Sequence, residues 1–147
     1  MKRAVSISIG SSKRNKSIEL ELLGEKVLIE RIGTDGSMEK AAQLYRELDG
    51  KVDAFGVGGT DLGLTVDDRW YALHSVKPMV RYVKLTPLVD GSGLKNTLET
   101  RVVPVMEQKL DGYVKEKKVL MTTGVDRWGM SLSFERAGYE MILGDLM

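Results

Sequence analysis

Cysteine is absent from the 147 residues, which removes disulfides, thiolate ligands and a cysteine nucleophile. Histidine occurs once, at His74, so the usual Cys/His zinc centre cannot be assembled and no metal site is expected. No partner residue stands beside His74 in the sequence, and it is read as a structural or surface histidine. Aromatic residues make up only 6% of the chain. None is interleaved in the one basic cluster, Lys13-Arg14-Asn15-Lys16. That cluster can hold a phosphate, but without aromatics to stack bases it reads first as a solvated turn between strands. Charge of one sign is missing too. A formal net charge of +1 gives no general pull toward nucleic acid or an acidic membrane, and neither is expected as a partner. No apolar run approaches the roughly 18 residues of a membrane span. The start is basic, like a signal peptide, but polar and apolar residues then alternate where an export signal would be continuously apolar. A cytoplasmic location is therefore expected.

What is present is period. Val5, Ile7 and Ile9 alternate with Ser6 and Ser8, giving a strand with one buried face. Ile18, Leu20 and Leu22 alternate with Glu19 and Glu21, and the turn Gly24-Glu25-Lys26 leads into residues 27–32 as an antiparallel hairpin. Ser37 is placed to cap a helix carrying Met38, Ala41, Ala42, Tyr45 and Leu48. A short strand follows over residues 52–57, then a small hairpin around Asp67-Asp68-Arg69. Ser75 is placed to cap a short helix with Pro78 in its first turn, where a missing N–H is tolerated. A strand is expected over residues 85–89, then a long helix with Leu94, Leu98, Val102, Val105 and Met106 on one face and a kink or split at Pro104. The last stretch reads strand (119–121), glycine loop, helix (131–137) and strand (139–143), the two strands parallel. The expected class is α/β: a mixed sheet with flanking helices, followed by a Rossmann-like β-α-β unit that ends at its second strand. The expected division is a substrate-type domain over 1–93, a connecting helix over 94–116, and the start of a nucleotide-binding unit over 117–147.

Three glycine-rich loops follow predicted strands, where ligands bind in parallel α/β sheets. In the first, Gly58 and Gly59 let backbone approach a ligand, with Thr60 and Asp61 as polar contacts; the alternative is a tight turn needing a positive φ. In the second, Asp90, Ser92, Lys95, Asn96 and Thr97 suit an anionic or polyhydroxylated ligand, the alternative being plain helix capping. The third, Thr122 to Ser131, contains Thr123, Gly124, Asp126, Arg127 and Gly129. Asp145 lies about twenty positions after Gly124, as a ribose-binding acid does in the dinucleotide fingerprint. Asp126 occupies the position of the second glycine, and its carboxylate opposes a pyrophosphate unless Arg127 compensates.

The order of these parts, with Thr86-Pro87-Leu88-Val89-Asp90-Gly91-Ser92-Gly93-Leu94-Lys95-Asn96-Thr97 and residues 118–145, resembles shikimate and quinate dehydrogenases. It is similar in particular to the front part of bacterial proteins labelled quinate 5-dehydrogenase, which are longer than this chain. The resemblance implies an oxidoreductase using NAD or NADP on a small hydroxylated carboxylic acid. The family's Asn-Thr-Asp motif meets Asn96 and Thr97, with Leu98 in place of the catalytic Asp and Glu99 next to it. For the catalytic Lys, Lys95 and Lys84 are the nearby candidates. The roles that follow are Lys95 as proton donor or acceptor with Asp90 or Glu99 as partner, and Gly58, Gly59, Thr60, Asp61, Ser92, Asn96 and Thr97 around the substrate. Thr123, Gly124, Arg127, Gly129 and Asp145 would face the cofactor. With only the start of one mononucleotide half, the chain by itself is expected to lack turnover. The alternatives are a non-catalytic metabolite- or anion-binding module and a self-associating interaction domain. An interrupted β-α-β unit leaves a strand edge and an apolar helix face that a second copy, as in a homodimer, can cover.

Overall fold

The computed structural model describes residues 1–111 and 114–145, which divide into two compact units. The first comprises residues 1–62 and 72–91, the second residues 63–71 and 92–147.

In the first unit, β1 (Lys2–Ser8) is followed by the hairpin of β2 (Lys16–Leu22) and β3 (Glu25–Gly33). Helix α1 (Met38–Leu48) then leads to β4 (Ala54–Gly58), and a short α2 (Lys77–Val80) to β7 (Leu88–Val89). These strands form one sheet in the order β2-β3-β1-β4-β7. β1 pairs in parallel with both β3 and β4, β4 pairs in parallel with β7, and only β2 runs against its neighbour. The alternation of β1 explains its place. Val5 and Ile7 are register partners of Phe55 and Val57 in β4, so one apolar face is presented continuously. That face buries Tyr45 of α1 and Met79 of α2 with Val52 and Val76. Tyr45 meets the edge of Phe55 at 5.0 Å between ring centres. Its hydroxyl donates to the carbonyls of Gly56 at 3.0 Å and Ile7 at 3.3 Å. Burial pushes that phenol well above its ordinary range.

Helix α1 starts where Ser37 Oγ accepts the Lys40 N–H at 3.1 Å, as the sequence led us to expect. It ends at Asp49, whose carboxylate accepts the N–H groups of Lys84, Leu85 and Thr86. Those bonds hold residues 84–86 out of any strand, which is why β7 spans only Leu88–Val89 where the sequence suggested residues 85–89. Ser75 caps nothing: a 3-10 turn over His74–Val76 precedes α2 and has no side-chain cap. Pro78 does lie in the first turn of α2.

In the second unit, β5 (Gly63–Val66) and β6 (Arg69–Ala72) form the expected small hairpin. The expected long helix is broken into α3 (Ser92–Leu98), a 3-10 turn over Glu99–Arg101, and α4 (Val102–Leu110). The break precedes Pro104, which sits in the first turn of α4, where backbone N–H groups have no helical acceptor anyway. The expected apolar stripe is also corrected. Leu94, Leu98 and Val105 are exposed, and Val103 is the fully buried residue. Then β8 (Lys118–Met121), α5 (Trp128–Arg136) and β9 (Glu140–Leu143) form a β-α-β unit whose strands are parallel, with Val119 opposite Met141 and Met121 opposite Leu143. Phe134 of α5 packs edge-on to Tyr139 at 5.0 Å, over Val103 and Met121. Among the described residues no helix is long and apolar enough to cross a membrane.

Candidate functional site

Parallel pairing sends the carboxyl ends of β1, β3, β4 and β7 to one edge of the first unit's sheet. After β1 the chain leaves toward β3, and after β4 toward β7, so the two adjacent strands are a topological switch point. Gly58 ends β4 there. A Cβ on it would lie 2.7 Å from Ser8 Cβ, so only glycine lets the two strand ends close up. Gly59 follows at φ +76°, the left-handed bend anticipated for this loop. Thr60 Oγ1 donates within its own loop, to the Asp61 carbonyl at 3.4 Å. Asp90, at the end of β7, accepts the Leu62 N–H at 2.7 Å and fastens the β4 loop to the β7 end. The Gly58–Thr60 loop and Asp90 emerge at the same edge of the sheet.

Four cations stand at the same edge. Arg31 of β3 donates from Nη2 to the buried Ser8 Oγ at 3.0 Å and from Nη1 to the Ser11 carbonyl at 3.1 Å. Ser8 Oγ also accepts the Gly10 N–H at 3.1 Å. Arg14 comes in from the 3-10 turn Ser12–Arg14: a Cβ on Gly10 would lie 2.7 Å from Arg14 Nη2 and 3.1 Å from Arg31 Nη2. The two guanidinium groups thus lie no farther apart than those two distances together. Lys16 is the cross-strand register partner of Arg31, and Lys13 precedes Arg14. Asp35 belongs to the same loops but accepts the Ser12 N–H at 2.7 Å; that bond holds its carboxyl below the usual range. The sequence signal was present in Lys13-Arg14-Asn15-Lys16. What it could not reveal was Arg31 arriving from another strand.

The second unit holds the remaining expected residues. Lys95 Nζ donates to Asp126 Oδ1 at 2.7 Å, and Arg127 Nε approaches the other oxygen at 3.4 Å. Glu99 is buried, and its Oε1 accepts from Arg127 Nη1. Lys95 thus pairs with Asp126, and Glu99 with Arg127. Asp126 is turned to its cations, so the carboxylate in the glycine loop is already balanced. Thr97 Oγ1 donates back to the carbonyls of Gly93 and Leu94, and Asn96 is exposed.

The glycine loop after β8 is bonded to its own chain. Asp145 Oδ2 accepts the Val125 N–H at 2.7 Å, and that bond, together with the N–H of Gly124, lowers its carboxyl pKa against the opposing cost of burial. Its Oδ1 is buried and, among the described residues, has no hydrogen-bond partner. A Cβ on Gly124 would lie 2.7 Å from Leu143 Cδ2, so this glycine leaves room for the side chain of the last residue of β9. Thr123 and Gly124 offer carbonyls to the Arg127 N–H and the Ser131 hydroxyl. Gly129 admits the Lys95 carbonyl and Thr100 at 3.3 and 3.4 Å from where its Cβ would stand. The buried serines were missed by sequence reading: Ser131 ties α5 to the loop, and Ser133 donates to the Thr100 carbonyl at 3.0 Å. Both sit in the helical period as if they were ordinary polar residues, so the pattern gives no signal for them. His74 is exposed, and among the described residues no group of three or more His, Cys, Asp or Glu could hold a metal ion.

Residues 3–90 match the family model described as Domain of unknown function (DUF8753), and residues 93–147 match Domain of unknown function (DUF8754). The gap between the two matches falls where the structural units divide, at Gly91 and Ser92. No curated protein and no solved structure matches the chain.

Proposed function

The chain belongs to the DUF8753 family, and we propose that it serves as a binding module for a small hydroxylated carboxylic acid at the carboxyl edge of its five-stranded sheet. One observation carries this: Asp90 holds the Leu62 N–H, drawing the β7 and β4 loops together beside the β1–β4 switch point. In open α/β sheets that is where small ligands sit. Thr60 and Asp61 are the groups suited to ligand hydroxyls, and the neighbouring cations suit its carboxylate. Titrating quinate and shikimate into the chain, followed by heat and by backbone amide shifts, tests the proposal. Saturable binding with shifts at residues 58–62 and 90 is expected, weakened about tenfold in Asp90→Ala through loss of the loop fastening. Shifts absent from those residues would overturn it.

A second reading, an NAD- or NADP-linked oxidoreductase of the shikimate/quinate type, draws on the parallel β8–β9 unit and on the Lys95–Asp126 pair, which has the composition of an acid–base couple. Loop 122–127 fits a dinucleotide poorly, because Asp145 takes the Val125 N–H and Leu143 fills the space over Gly124. No turnover is therefore proposed for the chain by itself. Quenching of Trp128 by NADH or NADPH should stay absent at micromolar cofactor. Self-association is proposed as well, through Leu120 and Ile142, register partners that are both exposed on the small parallel sheet.

A further inference from the structure

We propose that the carboxyl edge of the five-stranded sheet holds a phosphate monoester, gripped by Arg14 and Arg31 at the end of β1. Its location rests on the binding function proposed above; the phosphate is additional to it. The chain as a whole is balanced in charge and pairs many of its cations: Lys2 with Asp53, Arg3 with Glu30, Arg81 with Glu39, Lys95 with Asp126, Arg127 with Glu99. On the β1–β3 side of this edge the pattern inverts. Arg14 and Arg31 converge on Gly10, with Lys16 opposite Arg31 and Lys13 next to Arg14 in the chain, and among the described residues none of the four has an ion-pair partner.

Such a gathering works against folding. Like charges opposite each other on adjacent strands, as Lys16 and Arg31 are, destabilise a sheet. Two guanidinium groups converging on Gly10 repel each other as well. Of the acids in the surrounding loops, Asp35 turns its carboxylate to the Ser12 N–H and Asp90 to the Leu62 N–H. A dianion between the arginines reverses the sign of all these terms at once. Arg31 is held for that purpose: Ser8 Oγ and the Ser11 carbonyl fix its fork in a half-buried position, so little freedom is lost on binding. Arg14 is exposed and, among the described residues, bonded to no side chain, so it can close over the anion. Planar forks suit tetrahedral oxyanions through paired N–H···O bonds. The excess of four cations over their acidic partners favours a doubly charged phosphate over a singly charged carboxylate.

Calorimetry on the 147-residue chain with inorganic phosphate and with glycerol 3-phosphate tests this. Saturable binding of both is expected. Arg14→Ala should weaken it about tenfold or more, whereas Lys51→Ala, an exposed cation on the turn after α1, should leave it unchanged. Arg31→Lys keeps the charge and loses the fork, and should weaken binding less than Arg14→Ala while the far-ultraviolet spectrum stays native. Absence of saturable binding at millimolar phosphate, or equal affinity in Arg14→Ala, overturns the phosphate site. Quinate titrated into the same samples separates the two proposals. Quinate bound and phosphate refused sinks the phosphate site alone; phosphate bound with Arg14 dependence and quinate refused sinks the carboxylic-acid ligand alone.

Discussion

The core of the first unit is closed: Val5, Ile7, Tyr45 and Met79 have no exposed surface, and Phe55 keeps 1%. The core of the second unit is thinner. Val103 is fully covered, but Met121, Phe134 and Tyr139 keep 7–8% each, and Leu94, Leu98, Leu120 and Ile142 stand more than half exposed nearby in the sequence. The same two-layer logic is at work in both. The first unit has a five-stranded sheet under α1 and α2, whereas the second has no sheet larger than two strands, β8–β9 and β5–β6, and its core is closed by α4 and α5. A pair of parallel strands buries one face against its helix and leaves the other bare, as Leu120 and Ile142 show. Stability is therefore concentrated in the first unit, and the apolar surface left over belongs to the second.

Removing an aromatic ring from each core breaks or sharpens this contrast most strongly. Phe55→Ala should cost about 3–5 kcal/mol, with Phe134→Ala at or below the lower end. Denaturant unfolding, together with amide exchange resolved by unit, measures both, and equal losses in one shared transition would contradict the contrast. Next come the glycines. Gly58→Ala sets a methyl against Ser8 Cβ, which cannot move without its strand, and should cost about 1–3 kcal/mol. Gly124→Ala meets the end of Leu143, a side chain able to turn, and should cost less in the same melt.

Acid gives a weaker, graded effect. Asp49 and Asp53 in the first unit and Asp145 in the second have carboxyl pKa values lowered chiefly by backbone N–H donors from Thr86, Arg3 and Val125. A lowered folded value means stability that is present above about pH 4, the unfolded range, and is lost as pH falls through the folded values. The denaturation midpoint should thus be flat from neutral pH down to about 5 and fall below 4. Asp145→Asn should flatten the acid fall in amide protection of the second unit alone. The smallest change in stability, within about 0.5 kcal/mol, is expected from Leu120→Ser with Ile142→Ser. Sedimentation should show that this pair lowers self-association; unchanged association would move the bare surface elsewhere.

Elements fixed by short-range period were legible. The alternation of Val5 and Ile7, the β2–β3 hairpin, the Ser37 cap and the parallel β8–β9 pair all stand as their residues suggested. What failed was decided at a distance. The Asp49 carboxylate reaches across from α1 to take three N–H groups and shortens β7. The stripe of Leu94, Leu98 and Val105 had the right spacing, but the chain turns at Glu99–Arg101, so one period does not describe one face. The site divides the same way. The placement of Gly58, Gly59 and Asp90 after strands was readable because strand ends announce their loops. Arg31 beside Arg14 was not, since β3 and the loop after β1 are neighbours only through a parallel pairing with no local signature.

The central place of β1 also sets an order of assembly on the ribosome. Its register partners begin at Val27 on one side and Ala54 on the other, so both of its edges stay open while much of the first unit is still being made. The β2–β3 hairpin closes locally across Leu23 and Gly24 and can offer the first edge; the second is not covered until Gly58 has emerged. At about 5–20 residues per second that interval lasts roughly 3–10 s, during which an apolar strand is open to wrong pairing. Lys2 and Arg3 stand at its head, and charges flanking an apolar strand disfavour such pairing. Glu30 and Asp53 arrive with the very segments that cover the edges, and neutralise those two charges as the need for them ends.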